Sequence, residues 1–241
     1  SFTPGSRRLF GSHFFAASSK TPAFVRRYNE PLRTMSLLKC QITLSLDGFV
    51  AGPNQGLENP LGEGALHLHD WALSTKTFRT LHGEATDGET GVDDDVLREA
   101  FENIGATIMG RNMFSPSRGP WGENPWRGWW GEDPPFRHSV FVLTHHAREP
   151  LAMSNGTTFH FVTDGIESAL ARAKNAANGK DVTIGGGARV IQQYLAAGLL
   201  DEIEIHIVPL LLGGGARLFD FSAPPDLQLE PVRTLEGRGV A

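Results

Sequence analysis

The order of apolar and polar residues changes period several times along the chain, and each period predicts an element. Leu38 to Leu46 alternates apolar and polar, the signature of a strand, and ends in the turn pair Asp47-Gly48. Residues 52–64 hold Gly52, Pro53, Gly56, Pro60, Gly62 and Gly64, which predicts a loop. A helix follows through Leu66, Trp71 and Phe78. A second begins at Asp93 to Asp95, acids suited to the positive end of a helix, and runs through Val96, Leu97 and Phe101. Ala106 to Met109, Ser139 to Thr144, Thr158 to Val162, Asp181 to Ile184, Glu202 to Val208 and Leu227 to Thr234 predict strands. Between them Ile166, Ala169, Leu170 and Ala173 recur at spacings of three and four. They predict a helix capped by Asp164, with Glu167 completing a capping box and Gly179 ending it. Val190 to Ala197 predicts one more helix. Strands alternating with helices point to an α/β sandwich around a mainly parallel sheet, whose ligands bind where strands end at their carboxyl side. Residues 115–138 form a long Trp/Gly/Pro loop of the kind that makes lids.

Composition narrows the class. With 241 residues, 40% hydrophobic and 20% charged, the chain suits one generous globular domain. No run approaches the ~18 apolar residues of a membrane span, so a soluble, cytoplasmic protein with no membrane partner is expected. Six of the 22 Lys and Arg and one of the 27 Asp and Glu fall in residues 1–34, leaving the rest at a net −10. A body that acidic disfavours nucleic acid, which needs a basic surface. The leader itself is rich in Arg, Ser, Phe and Ala, as transit peptides are, and Met35 stands just before the first strand. Residues 1–34 are therefore read as an unstructured leader, with a mitochondrial matrix location as the alternative, and residues 35–241 as the folded domain. The single cysteine, Cys40, lies in an alternating strand and reads as a buried thiol.

Three strand ends carry chemistry. Val182 to Ile191 runs from a strand through Gly185, Gly186 and Gly187 into a helix at Ala188. Glycines allow a sharp turn with close backbone approach, and the helix amides then face an anion. Thr107 to Met113 repeats the theme, with Gly110 followed by Arg111, a fixed cation suited to phosphate. Val142 to His146 ends in Thr144, His145 and His146, groups that can grip a 2′-phosphate. Adjacent strand histidines point to opposite faces, so no metal site is expected.

These motifs together resemble the dihydrofolate-reductase-like superfamily. Met109-Gly110-Arg111 and the Gly185 to Leu195 stretch are similar to its coenzyme-binding segments. Asp201 to Gly215 and Ser45-Leu46-Asp47-Gly48 are closer to the C-terminal reductase domain of the bifunctional riboflavin-biosynthesis deaminase/reductase and its stand-alone relatives. The resemblance, over residues 38–235, implies a three-layer αβα sandwich on a mixed, mainly parallel sheet, NADPH as cofactor and a homodimer. It implies an NADPH-dependent oxidoreductase like 5-amino-6-(5-phosphoribosylamino)uracil reductase, acting on a small pyrimidine or pterin-like substrate. It assigns Gly110 and Arg111 to the adenosine-phosphate side of the coenzyme and Thr144 to its 2′-phosphate or ribose, with His145 a further coenzyme-binding candidate. Gly185, Gly186, Gly187 and Ala188 take the diphosphate, and Asp47 and Gly48 border the nicotinamide and the substrate. Asp47 and Asp70 are the candidate proton-transfer residues. Leu61, His69, Trp71 and Trp121, with Trp126, Trp129 and Trp130, could close over a planar ring from insertions at 52–71 and 115–138. A dihydrofolate reductase, a general small-molecule reductase and a non-catalytic NADPH-binding protein are the alternatives.

Overall fold

Val, Ile, Leu and Phe dominate the runs that must lie buried on both faces of a parallel sheet, and these runs form its centre. In the computed structural model, residues 36–83, 87–123, 125–222, 227–238 and 240 are described, with the backbone of 12–18. In chain order the elements are β1 (Ser12–Ser18), β2 (Leu38–Ser45), β3 (Phe49–Ala51), a 3-10 turn (Leu66–His69), α1 (Asp70–Leu73), α2 (Lys76–Leu81), α3 (Val92–Phe101), β4 (Ile104–Gly110) and α4 (Arg111–Phe114). Then come β5 (Ser139–Leu143), β6 (Leu151–Ala152), β7 (Thr158–Val162), α5 (Ile166–Ala177), β8 (Asp181–Gly186), α6 (Ala188–Ala196), β9 (Glu202–Val208), β10 (Ala216–Arg217) and β11 (Gln228–Leu235).

Nine strands form one sheet in the order β11-β1-β9-β2-β8-β4-β5-β7-β6, and β3 pairs with β10 beside it. The run from β9 to β7 is parallel throughout, and the ladders at β1 and β6 are antiparallel. The sheet is mixed and mainly parallel, as the alternating pattern implies.

Side chains alternate across it. Leu38, Cys40, Ile108, Phe141, Val182, Ile184, Ile203 and Ile205 pack with Ala169, Leu170 and Ala173 of α5 and Val190, Ile191, Tyr194 and Leu195 of α6. Cys40 is thus a buried thiol, and burial pushes its pKa up. The intervening positions face a second layer made of two satellite cores. One joins Leu68, Trp71 and Ala72 to Leu97 and Val208, and the other joins Phe114 to Met109, Val140, Val142 and Phe159. Helices on one face and helix-loop cover on the other give three layers.

Several elements differ from the sequence reading. The helix expected through Leu66, Trp71 and Phe78 is broken into the 3-10 turn, α1 and α2. Thr75 is extended at this break; its hydroxyl donates to Ala72 O at 2.7 Å and accepts from Phe78 N at 3.2 Å, starting α2 anew. Asp164 does not cap α5: Gly165 holds that position, and the Asp164 carboxylate accepts from Ser168 and Arg172. Ser12–Ser18 lies in the stretch read as an unstructured leader, yet it pairs with β9 on one side and β11 on the other. With β2 already on its far edge, β9 offers its remaining backbone groups to a further strand. Among the described residues no helix is long and apolar enough to cross a membrane.

Candidate functional site

The carboxyl ends of five neighbouring strands, β5, β4, β8, β2 and β9, form one row. At a spacing of about 4.8 Å per strand the row is about 19 Å long, enough for an elongated ligand. Thr144, Gly110, Gly186 and the Ser45 to Asp47 turn stand at successive positions along it.

Glycine is required where β4 meets β8. A Cβ on Gly110 would stand 2.9 Å from Val190 Cγ2, and 3.9 Å from Gly186 O and Gly187 N. Gly186 has φ +123, a conformation that side chains rarely adopt, whereas a Cβ at Gly187 would meet nothing within 4 Å. Gly185 packs against Thr107 and Met113. The backbone is therefore open at the start of α6, where Gly187 makes no side-chain cap and the first turn holds no acid. Ala188, expected to face the ligand with its amide, is the first helical residue and its side chain is buried. An anion there would meet the positive end of a nine-residue helix.

Arg111 begins α4 and is only 9% exposed. Its Nε donates to Ser117 O at 3.0 Å, Nη2 to Gly119 O at 3.2 Å and Nη1 to Thr144 Oγ1 at 3.4 Å. The guanidinium lies 3.1 Å from the centroid of Trp121, a cation–π contact. Thr144 is buried and also accepts from His146 N, while His145 is exposed. Arg148, which the sequence reading passed over, comes to the other parts of this cluster: its guanidinium is 4.8 Å from both Trp121 and Phe161, and Nη1 donates to Trp126 O at 2.6 Å. Burial, then the charge of Arg148, pulls Arg111 down to about 10. Among the described residues no carboxylate pairs with either guanidinium. Their charge is met only by carbonyls, a hydroxyl and aromatic faces, so the pair can take an anion.

At the end of β2, Asp47 is placed as expected, with Gly48 in the turn at φ +87. Its carboxylate accepts from Ser45 Oγ at 2.6 Å, Leu212 N at 3.1 Å and Gly213 N at 2.7 Å. The Ser45 hydroxyl above all, with the two amides, holds its pKa down to about 2. Such a group carries no proton to give near neutrality. Asp47 ties the rim together. Asp70 lies on an exposed face of α1 with its side chain 59% exposed, paired with His67 Nδ1 at 2.8 Å. It is not the apolar-pocket acid that a folate site needs.

The aromatic residues expected to share one lid are divided. Leu61 and Trp71 belong to the satellite core over β2 and β9, Trp121, Trp126 and Trp130 to that over β4, β5 and β7. Trp129 packs edge-on against Trp126. Trp121 is gripped by Arg111 and by a hydrogen bond from its Nε1 to His146 O at 2.9 Å. His69 lies beside Trp71; its Nδ1 is buried without a hydrogen-bond partner among the described residues, and burial lowers its pKa. Below Trp71 a cleft of about 430 Å³ opens between Asp70, Glu89, Asp93 and Arg238 on one side and Val208 to Leu210 on the other.

A mainly parallel sheet with helices packed on it, a glycine turn at one strand end and a buried guanidinium at the next defines an α/β protein with an open row of strand ends. More particularly, the RibD C-terminal domain family matches residues 37–239, and the chain belongs to it. Its kinship is thus with the reductase-like domains of riboflavin biosynthesis. Two curated proteins of Bacillus subtilis (strain 168) are similar over shorter stretches. YwjB is 32% identical over 59 residues, 24% of this chain and 33% of that protein, and YyaP 35% identical over 75 residues, 31% and 39% respectively. Both bear the name uncharacterized protein, and the chain spans little more than a third of their length. Among solved structures, a Shewanella sp. PV-4 protein named for riboflavin biosynthesis is 21% identical, covering 84% of this chain and 99% of that one with a TM-score of 0.48. The Thermotoga maritima diaminohydroxyphosphoribosylaminopyrimidine deaminase/5-amino-6-(5-phosphoribosylamino)uracil reductase is 13% identical, covering 85% and 54% with a TM-score of 0.45.

Proposed function

We propose that the chain is an NADPH-dependent reductase of a small planar substrate, with 5-amino-6-(5-phosphoribosylamino)uracil as the first candidate. The observation that carries this reading is the Arg111 and Arg148 pair, free of carboxylate partners among the described residues, in the same row of strand ends as the open Gly186-Gly187 turn. In that reading Arg111, Arg148 and Thr144 hold the 2′-phosphate, and the amides at the start of α6 hold the diphosphate. Bound there, the coenzyme supplies a hydride. The chain's own residues bind it, orient it and exclude water. Asp47 keeps the rim at Leu212 and Gly213 in place rather than transferring a proton. Homodimer formation belongs to the same proposal.

Calorimetry with NADPH and NADH tests it first. The extra phosphate should make NADPH bind at least about tenfold more tightly, one charge-assisted contact being worth about 1.5–3 kcal/mol. Loss of absorbance at the reduced-nicotinamide band should then follow addition of the uracil substrate. No heat with NADPH would remove the reductase reading. Binding without turnover on the uracil, on dihydrofolate or on other pyrimidines would leave a coenzyme-binding protein.

A further inference from the structure

The aromatic wall of the cleft rests on a buried histidine. His206, on β9, has no exposed surface, and its ring stacks on Trp71 with centroids 4.4 Å apart and planes at 24°. Trp71 Nε1 donates to Thr43 Oγ1 at 3.2 Å, so the indole is fixed at its edge and face. Glu204, two residues back on the same face of β9, is 9% exposed. Its Oε1 lies 2.9 Å from His206 Nε2 and 3.4 Å from Gln41 Nε2. The His206 contact is a close approach rather than an aligned hydrogen bond, since neither ring nitrogen has a hydrogen-bond partner among the described residues.

A carboxylate this buried needs compensation. Among the described residues, the neighbouring charges on β2, α1, α3 and the C-terminal segment are committed elsewhere. Lys39 on β2 meets Asp181 and Glu202, Asp70 on α1 meets His67, Asp94 on α3 accepts from Thr77 N, and Arg238 meets Glu89. His69, beside Trp71, offers no charge to Glu204 in any contact.

We propose that His206, paired with Glu204, is a positioning residue for Trp71, holding the Leu66–Leu73 wall of the cleft in place through a buried proton. With the proton on the imidazole, Glu204 is neutralised and the indole face has a cation beneath it, a favourable contact. Without it the buried carboxylate keeps only the long contact from Gln41 and has no neighbouring cation, and the wall loosens. The inference goes beyond the coenzyme reading and does not depend on it.

Intrinsic fluorescence of the full chain, titrated from pH 8 to 5, tests it without any ligand. The Trp71 component is the difference between wild type and Trp71→Phe. A stacked imidazolium quenches indole, so this component should fall as the pH drops. The fall should vanish in His206→Gln, persist in His67→Gln and His69→Gln, and move to lower pH by about one unit or more in Glu204→Gln, which removes the neighbouring anion. Hydrogen exchange of the 66–73 amides should rise about tenfold in His206→Gln, with residues 188–196 unchanged. An unaltered pH profile in His206→Gln, or a Trp71 component flat with pH, overturns the pairing. Unchanged exchange at 66–73 overturns the positioning role. If His206→Gln does not fold, the shift in Glu204→Gln decides, and its absence sinks the proposal.

Discussion

Over β4, β5 and β7 the cluster of Phe114, Trp121, Phe159 and Phe161 is crossed by two guanidinium groups, whereas over β2 and β9 Trp71 and Leu68 pack above a cleft lined by Asp70, Glu89 and Asp93. Both regions cover the same face of one sheet and both are built on tryptophan. They differ in charge. The first holds cations with no carboxylate among the described residues. The second has three carboxylates, of which Glu89 meets Arg238 and Asp70 meets His67. Aromatic content therefore marks where the long loops pack, and charge marks what each end of the row accepts. The proposed anion site accordingly falls at β4 and β5 rather than at β9.

The strongest way to break this comparison is Arg111→Ala. It removes the cation, both carbonyl contacts to the 117–119 loop and the stack on Trp121. Affinity for NADPH should fall roughly ten- to a hundredfold, about 1.5–3 kcal/mol, as read by calorimetry. Equal affinity in the variant would place the anion site elsewhere. Gly110→Ala acts on the same region through packing. Its new methyl would press on Val190 Cγ2, a stiff, 6% exposed side chain, and should cost about 1–3 kcal/mol in urea unfolding. Combining it with Val190→Ala should lose less than the sum of the two single changes, because the clash then has no partner. Simple additivity would mean that the two groups do not meet.

Much of the cationic region was legible in the sequence and little of the acidic one. Gly110-Arg111 and Gly185 to Gly187 are local signals, a strand running into residues that only a close approach requires, and each stands where that signal puts it. Arg148 was missed because its meaning depends on Trp121 and Phe161, which reach it only after folding; its sole sequence cue is a position four residues past Thr144. Asp47 stands in the turn the sequence predicts, and its surroundings were half legible: Ser45, the largest influence on its carboxylate, is two residues away, while Leu212 and Gly213 come from 165 and 166 residues further along. The tryptophans were grouped by composition, but the strand order sends residues 66–73 over β2 and β9 and residues 121–130 toward β5 and β7. His206 carried no signal at all. A histidine within a β-branched strand looks the same whether it is solvated or sealed beneath an indole.

A smaller effect separates rim anchoring from proton transfer at Asp47. Its folded pKa, about 2, lies below the ordinary 3.8. Its contribution to stability is therefore complete above the ordinary value and is lost as the pH falls through the folded one. The urea midpoint of wild type should exceed that of Asp47→Asn at pH 5, and the gap should close between about pH 4 and 2. A gap independent of pH would mean that Asp47 is not held as an anion by Ser45, Leu212 and Gly213.

The smallest expected effect falls on the acidic side, and it tests that side hardest. Asp70 is half in water and its partner His67 is more exposed still, so the pair should contribute less than about 0.5 kcal/mol to folding. Once a substrate is in hand, Asp70→Asn should also change turnover by less than about threefold, since a carboxylate turned to solvent cannot deliver a proton to a buried carbon with the roughly 10²-fold advantage of a positioned acid. A loss of that size would mean that α1 rotates toward the β2 end when ligand binds. Asp70 would then be the proton donor that the sequence pattern suggested, and the contrast between the two regions would be one of state rather than of architecture. Measuring the variant with saturating NADPH keeps this outcome distinct from any defect in coenzyme binding at Arg111.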